Sequence, residues 1–185
     1  MNLSLNSLCD DVPAGALQAL TQHWLDLFRQ AGRQVPRLRA VDPLRFAAAL
    51  KDAWIVDAGE DGRFRFRLCG ETLVEWYGFS PKGRSFEEVI NPPSLATAVA
   101  QARDVMDRPL AIYQRMTAVI PDYSAPAGFG RVALPLAGDD GRIRHILGAT
   151  SFDAPVLNGR GSIATRPELE RRYDISALAG TASAA

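Results

Sequence analysis

The sequence predicts an α+β fold in which helices cover one face of a single five-stranded antiparallel sheet. Two strand-like segments joined by a tight turn occupy residues 53–69, and helical segments fill residues 71–107. Three further strand-like segments follow between residues 110 and 152. Two strands, a helical crossover and a three-strand meander assemble as one sheet with helices packed on it. A helical flap over such a sheet encloses a small cavity, the usual kind of place for a ligand.

The first two strands are predicted to form a hairpin. Residues 53–58 are largely apolar and lead into a Gly-Glu-Asp-Gly turn at residues 59–62. Residues 63–69 alternate between basic and apolar side chains, which indicates a half-buried strand. The basic side chains are Arg63, Arg65 and Arg67. Three guanidinium groups on one strand face would bind an anion such as a carboxylate or a phosphate. The alternative is a solvated face on which the long side chains simply cover the sheet.

The crossover is predicted to contain three helices. The first covers residues 71–77, and the second starts at Ser85, with Glu88 placed to complete a capping box. The third covers residues 94–107. The remaining strands are predicted at residues 110–120, 129–136 and 142–152.

Residues 16–31 are predicted to form an amphipathic helix, because large apolar side chains recur there at helical spacing. These side chains are Leu17, Leu20, Trp24, Leu27 and Phe28. An apolar stripe of this kind must pack either on the rest of the chain or on a second copy. The stripe therefore predicts a homodimer, or a contact with a signalling protein, through this helix.

The predicted elements divide the chain into three parts. Residues 1–41 hold the amphipathic helix and a linker, and residues 42–153 hold the sheet domain. That domain opens with Asp42 and Pro43, a helix cap followed by a proline at the first helical position. Residues 154–185 form a tail, with one short charged helix predicted at residues 167–173.

Composition argues against several classes of protein. The 21 basic residues balance the 21 acidic ones, which disfavours a nucleic-acid binder. Two cysteines are too few for a disulfide scaffold, which indicates a reducing, cytoplasmic setting. The chain has no basic and apolar leader at its start and no apolar run long enough to span a bilayer. We therefore expect no direct insertion into a membrane.

A set of short motifs resembles the family of PAS domains, in which two strands, a helical segment and three strands form a five-stranded sheet. The motifs are Trp-Ile-Val-Asp at residues 54–57, Cys-Gly-Glu-Thr-Leu at 69–73, Trp-Tyr-Gly-Phe at 76–79, Gly-Arg-Ser-Phe at 83–86 and Asp-Gly-Arg-Ile at 140–143. In particular, the chain is similar to small bacterial PAS proteins that carry no attached kinase or cyclase. The resemblance covers residues 16–153 and implies sensing or protein contact.

One histidine and several aromatic residues are the predicted lining of the cavity. They are Phe66, Trp76, Tyr77, Tyr113 and His145. Trp76 and Tyr77 lie on the flap, and His145 lies on the final strand, where it shares a face with Leu147. If that face meets the flap, His145 points into the cavity. The alternatives are a core that the aromatic rings fill completely and a hydrogen-bonded histidine within the sheet.

The cofactors that the PAS resemblance suggests are disfavoured by the sequence. Haem-binding members commonly use a histidine in the long helix before the third strand, and residues 94–107 contain none. Flavin photoreceptors place a reactive cysteine in a helix similar to Asn-Cys-Arg-Phe-Leu-Gln, whereas Cys69 closes a predicted strand. The ligand therefore stays open, with haem and flavin disfavoured, and no metal site is predicted.

No catalytic motif stands out in the sequence. It lacks a His-Glu-x-x-His helix, a phosphate-binding glycine loop and a Gly-x-Ser-x-Gly turn. The predicted function is a PAS-type sensory or signalling module that binds a small ligand, a protein partner or both, without catalysis. The alternative is a small-molecule enzyme of the isomerase or dehydratase type on a cavity-forming α+β fold. Such an enzyme would need His145 or Asp57 as its acid or base.

Overall fold

A computed structural model describes residues 5–119, 127–153 and 164–175. The helices are α1 Leu8–Asp11, α2 Ala16–Gln30, α3 Glu71–Tyr77, α4 Phe86–Val89 and α5 Pro92–Asp107, and 3₁₀ turns lie at Leu5–Ser7, Leu38–Ala40 and Pro43–Ala49. The strands are β1 Ala53–Ala58, β2 Phe64–Cys69, β3 Leu110–Val119, β4 Ala127–Ala137, β5 Ile143–Phe152 and β6 Ala164–Asp174. They form one sheet in the order β2-β1-β5-β4-β3-β6, and all pairs are antiparallel. The predicted α+β class is confirmed.

Local capping explains where the short helices begin. The Asp42 carboxylate accepts a hydrogen bond from the Leu44 backbone N–H at 3.0 Å, as an N-cap does. The Glu88 carboxylate accepts one from the Ser85 backbone N–H at 2.7 Å, which is the reach expected in a capping box. Helix α5 begins two residues earlier than the predicted start at Ser94, because its first two positions are prolines, which need no N–H partner there.

The tail contributes a sixth strand, and the prediction of a short helix at residues 167–173 is wrong. Strand β6 pairs along the whole of β3 and forms the edge of the sheet, where Pro167 is tolerated. Long-range contacts hold the strand in place: the Tyr173 hydroxyl donates to the Asp11 carboxylate at 2.7 Å, and Arg171 pairs with the same carboxylate. These contacts link the two ends of the chain, which local sequence patterns do not reveal.

The sheet separates two apolar layers. Helices α3, α4 and α5, which we call the flap, cover one face, and α2 covers the other. The Trp24 indole N–H donates to the Pro135 carbonyl at 2.8 Å. Gly130 lets α2 approach closely, because a Cβ there would lie 2.8 Å from Leu17 Cδ1. The helix is therefore a part of the core on the face opposite the flap.

The apolar stripe of α2 is used inside the chain. Leu17, Leu20, Trp24 and Phe28 are at most 3% exposed, and Leu27 lies at the margin of the contact. Of the two packing partners considered for this stripe, the rest of the chain is the one that covers it. The outward side of α2 is polar and carries Gln22, Asp26 and Arg29.

His23 lies on the same helix and is buried, with 8% of its surface exposed. Its Nε2 accepts a hydrogen bond from the Asp42 backbone N–H at 3.1 Å, and its ring packs 5.4 Å from that of Phe46. Burial lowers the pKa of His23 below its ordinary value, because the charged ring would be desolvated. The neutral form is therefore the one that fits the fold.

The buried His23 makes stability depend on pH. Its pKa is lowered in the folded state, so its contribution is complete above the unfolded-state value of about 6.5 and is lost as the pH falls toward the folded-state pKa. We expect the free energy of unfolding, measured by urea titration, to decrease between pH 7 and pH 5 in the wild type. The decrease should be smaller in His23→Gln. An equal decrease in the two proteins would contradict this role of His23.

The contact between Tyr173 and Asp11 should stabilise the folded protein. Tyr173→Phe removes that hydrogen bond, and we expect it to lower the free energy of unfolding at pH 7 by about 1 kcal/mol. The Tyr173 hydrogen bond, with the Arg171 pair, holds the pKa of Asp11 below its ordinary value. The difference between variant and wild type should therefore shrink as the pH falls below about 3.9 and the carboxylate is protonated.

Tyr113→Phe is the matched control for this experiment. Tyr113 is also buried, and its hydroxyl makes no hydrogen bond within the described residues. Urea unfolding should show little change in this variant. If both variants lost the same stability, the contact with Asp11 would not be the cause.

Candidate functional site

A cavity lies between the flap and the inner face of the sheet. The volume of this cavity is about 60 Å³. Its walls are mainly apolar and include Val56, Phe66, Leu73, Phe86, Ile112 and Ile146. A second cavity of about 240 Å³ extends toward β6 and shares Tyr77, Ala98, Gln101 and Arg131 with the first. Both cavities have mainly apolar walls and few polar groups.

A glycine and a tryptophan shape the floor of the cavity. A Cβ at Gly148 would lie 2.2 Å from the Trp54 ring, so the indole can lie across β5 only because residue 148 is glycine. In this position the indole N–H donates to Thr150 Oγ1 at 3.0 Å. The Thr150 side chain is fully buried and forms part of the cavity wall.

Arg131 reaches the cavity from β4. Its Nε donates to Thr150 Oγ1 at 3.3 Å, and its guanidinium carbon lies 5.4 Å from the centre of the Phe129 ring. Burial lowers the pKa of Arg131, while the nearby Tyr77 acts in the opposite direction. Arg131 is the one charged residue among the described residues that line the two cavities. An arginine nonetheless stays protonated in proteins, so the site holds a positive charge.

Sequence reasoning missed Arg131. Strand β4 contains eleven residues, and Arg131 is the one charged residue among them. A lone charge within an otherwise apolar strand predicts a buried polar site, and this was the signal available in the sequence.

Two glutamines connect the cavity wall to β6. The side-chain amides of Gln101 and Gln114 both donate to Glu170 Oε2, at 3.0 and 2.8 Å. Arg172 Nε donates to Glu170 Oε1 at 2.6 Å, and Arg172 also contacts the Asp104 carboxylate of α5 at 2.6 Å. The sixth strand is therefore tied by polar side chains to both the flap and the cavity wall.

Three of the predicted lining residues do lie at the cavities. Phe66 lines the first, Trp76 lines the second, and Tyr77 lines both. Trp76 stacks on Phe152, with ring centroids 4.5 Å apart. The aromatic rings thus form walls without filling the core completely.

The predicted places of Tyr113 and His145 are wrong, because both side chains lie on the other face of the sheet. On β5, Ile146 faces the cavity, so its neighbour His145 faces away, as strand alternation requires. His145 Nδ1 lies 2.7 Å from the Asp57 carboxylate, which makes it a hydrogen-bonded histidine of the outer face. Tyr113 packs in the apolar layer under α2 for the same reason.

The predicted arginine face does not form a common site. Arg65 binds the Asp61 carboxylate at 2.5 Å, and Arg67 binds that of Asp57 at 3.1 Å. A register shift in the β1–β2 pair also disturbs the regular alternation at Arg67. Arg63 precedes the strand altogether. Because two of the three guanidinium groups already have carboxylate partners, this surface offers no clamp of three free charges.

The described residues hold little that would bind a metal or act as a nucleophile. No group of three or more His, Cys, Asp or Glu side chains within these residues is arranged to hold a metal ion. Burial raises the pKa of Cys69 to about 12, so its thiol stays protonated, and Cys69 does not line either cavity. In the part of the chain that the structure describes, none of the helices is both long and apolar enough to cross a bilayer.

Comparisons with known proteins give the family of the chain. The light-state structure of the blue-light photoreceptor Aureochrome1 LOV is similar over 57% of this chain and 84% of that chain, with 16% sequence identity and a TM-score of 0.41. No curated protein matches the chain. A family model for the PAS domain matches residues 13–151, from the segment before α2 to the end of β5. The match covers most of the chain, which therefore belongs to the PAS domain family.

Proposed function

We propose that this chain is a sensory module that binds a small molecule in the cavity under the flap and signals to a protein partner, without catalysis. The observation that carries the proposal is the cavity itself. Apolar walls surround a few polar side chains that converge on it, among them Arg131, Thr150 and Gln101. Enclosed apolar space with a few oriented polar groups is typical of small-molecule sites.

The enzyme alternative needs an acid or a base that can reach a substrate. The two candidates, His145 and Asp57, bind each other on the opposite face of the sheet, and neither lines a cavity. The described residues that do line the cavities include no histidine, cysteine, lysine or carboxylate, and burial raises the pKa of the one tyrosine among them, Tyr77. General acid–base catalysis requires a group of suitable pKa within hydrogen-bond reach of the substrate. This arrangement supports binding over catalysis.

We infer that the sheet carries the signal from one face to the other. Residues Ile146 and Thr150 of β5 face the cavity, whereas Leu147 and Ala149 pack in the layer under α2. A ligand that favours one packing of the cavity would shift the population of packings beneath α2 as well. The change would then reach whatever protein contacts this helix.

The homodimer through α2 remains a prediction. Since the apolar side of α2 is buried, a second copy or a signalling protein would contact its polar side, around Gln22, Asp26 and Arg29. Cys9 and Cys69 are both free thiols, which supports the cytoplasmic location that we also propose.

Filling the cavity should abolish ligand binding. Ala98 on α5 lines both cavities, so Ala98→Leu would place three extra carbons where the ligand lies. We expect the wild-type protein, purified from its own cell type, to release a small molecule when native and denaturing mass spectra are compared. The bound fraction should fall at least about tenfold in Ala98→Leu, because overfilled cavities exclude their ligands.

Ala100→Leu is the matched control, since Ala100 is exposed on the same helix. The same change in side chain and helix propensity should there leave the bound fraction unchanged. A wild-type protein that carries no small molecule, and whose melting temperature no small molecule raises, would contradict the proposed function. Equal occupancy of Ala98→Leu and the wild type would show that the ligand lies elsewhere.

A further inference from the structure

The positive charge of Arg131 lies at the cavity without a negative partner among the described residues. Arg131 forms no ion pair with any carboxylate of the described residues, although it is partly buried. The other groups that it contacts are the Thr150 hydroxyl and the Phe129 ring, neither of which is charged. A buried cation without a partner costs several kcal/mol as a rule, so it calls for an explanation.

Within the described residues, the hydrogen bonds of Arg131 and Thr150 leave only donors free on these two side chains. Thr150 Oγ1 accepts two hydrogen bonds, one from Trp54 and one from Arg131 Nε. A hydroxyl has two lone pairs and one proton, so the Thr150 proton remains to be donated. Within the described residues, neither this proton nor the two terminal nitrogens of Arg131 has a hydrogen-bond acceptor. The free groups that Arg131 and Thr150 present to the cavity are therefore all donors.

We propose that the ligand of the cavity is a small organic acid, whose carboxylate binds Arg131 and Thr150 and whose apolar body lies between the flap and the sheet. This inference rests on the proposed function and specifies its ligand class. The two terminal nitrogens of a guanidinium match the two oxygens of a carboxylate. The apolar body contacts the aromatic and aliphatic walls that include Phe66, Tyr77 and Ile146.

The charge of the site selects a carboxylate over a phosphate monoester. A phosphate monoester carries about −1.5 to −2 charges at pH 7, and one guanidinium does not balance it. The described lining of the two cavities offers no lysine and no second arginine. The nearby Glu170 carboxylate is bound by Arg172, Gln101 and Gln114 and does not neutralise Arg131.

Matched pairs of acids and amides test the inference. Calorimetric titrations of the wild-type protein would use phenylacetate and hexanoate, each beside its primary amide, with phenyl phosphate as a third anion. We expect at least one acid to bind about tenfold or more tightly than its amide, because hydrogen bonds to a charged group are the stronger ones. Phenyl phosphate should bind more weakly than phenylacetate.

Arg131→Met removes the positive charge and keeps a long, unbranched side chain at the cavity. We expect this variant to lose the preference for the acid while it still binds the amide. Arg63→Met is the matched control, since Arg63 is exposed and removed from the cavity, and it should keep the wild-type preference.

Stability without ligand separates a binding role of Arg131 from a structural one. If Arg131 serves binding, Arg131→Met should unfold at the same urea concentration as the wild type or a higher one, because a buried unpaired charge is removed. A clear loss of stability would make Arg131 a structural residue and overturn the inference.

Two further outcomes would overturn it while leaving the proposed function in place. The first is equal affinity of the wild type for acids and amides. The second is a neutral molecule released from the native protein, with no acid in the series bound. Absence of any bound or binding small molecule would instead remove the proposed function itself.

Discussion

The central strands β5 and β4 are covered on both faces, and the rest of the structure depends on this constraint. Consecutive residues of a strand point to opposite sides, so each strand supplies one row of side chains to the flap and one to α2. On β5, Ile146 and Thr150 belong to the cavity, whereas Leu147 and Ala149 belong to the other layer. A shift of one residue would exchange the two rows, which is why the register is strongly specified.

The cavity is a place where the core departs from close packing. Trp54 lies over Gly148 and thereby orients Thr150, and Thr150 in turn holds Arg131. An apolar residue in place of Arg131 would avoid the cost of burying a charge. Proteins commonly depart from the rules of core packing at their functional sites. Here the departure is the charge of Arg131.

Strand β6 joins parts of the chain that are distant in sequence. Tyr173 contacts Asp11 near the N-terminus, and Glu170 contacts Gln101 of the flap and Gln114 of β3. The same strand therefore touches the helical layer at the start of the chain and the wall of the cavity. Direct side-chain contacts thus join the wall of the cavity to an edge of the sheet.

Periodicity in the sequence was sufficient to predict the five PAS strands, the flap helices and the amphipathic helix, since these depend on nearest neighbours and on caps such as Asp42. The resemblance to PAS domains suggested Phe66, Trp76 and Tyr77 as cavity residues, and all three lie at the cavities. Neither periodicity nor resemblance placed His145 or Tyr113 correctly, because alternation separates the two faces of a strand without saying which face meets the flap.

The sequence by itself thus determined the order of the elements from α2 to β5 and the PAS family resemblance. The tertiary structure alone decided that residues 164–174 form a strand, that the stripe of α2 is internal and that Arg131 lies in the cavity. The physical reason is the same in each case. When both faces of a sheet are buried, contacts between residues far apart in the chain determine which element each side chain packs against. Local sequence patterns do not contain this information.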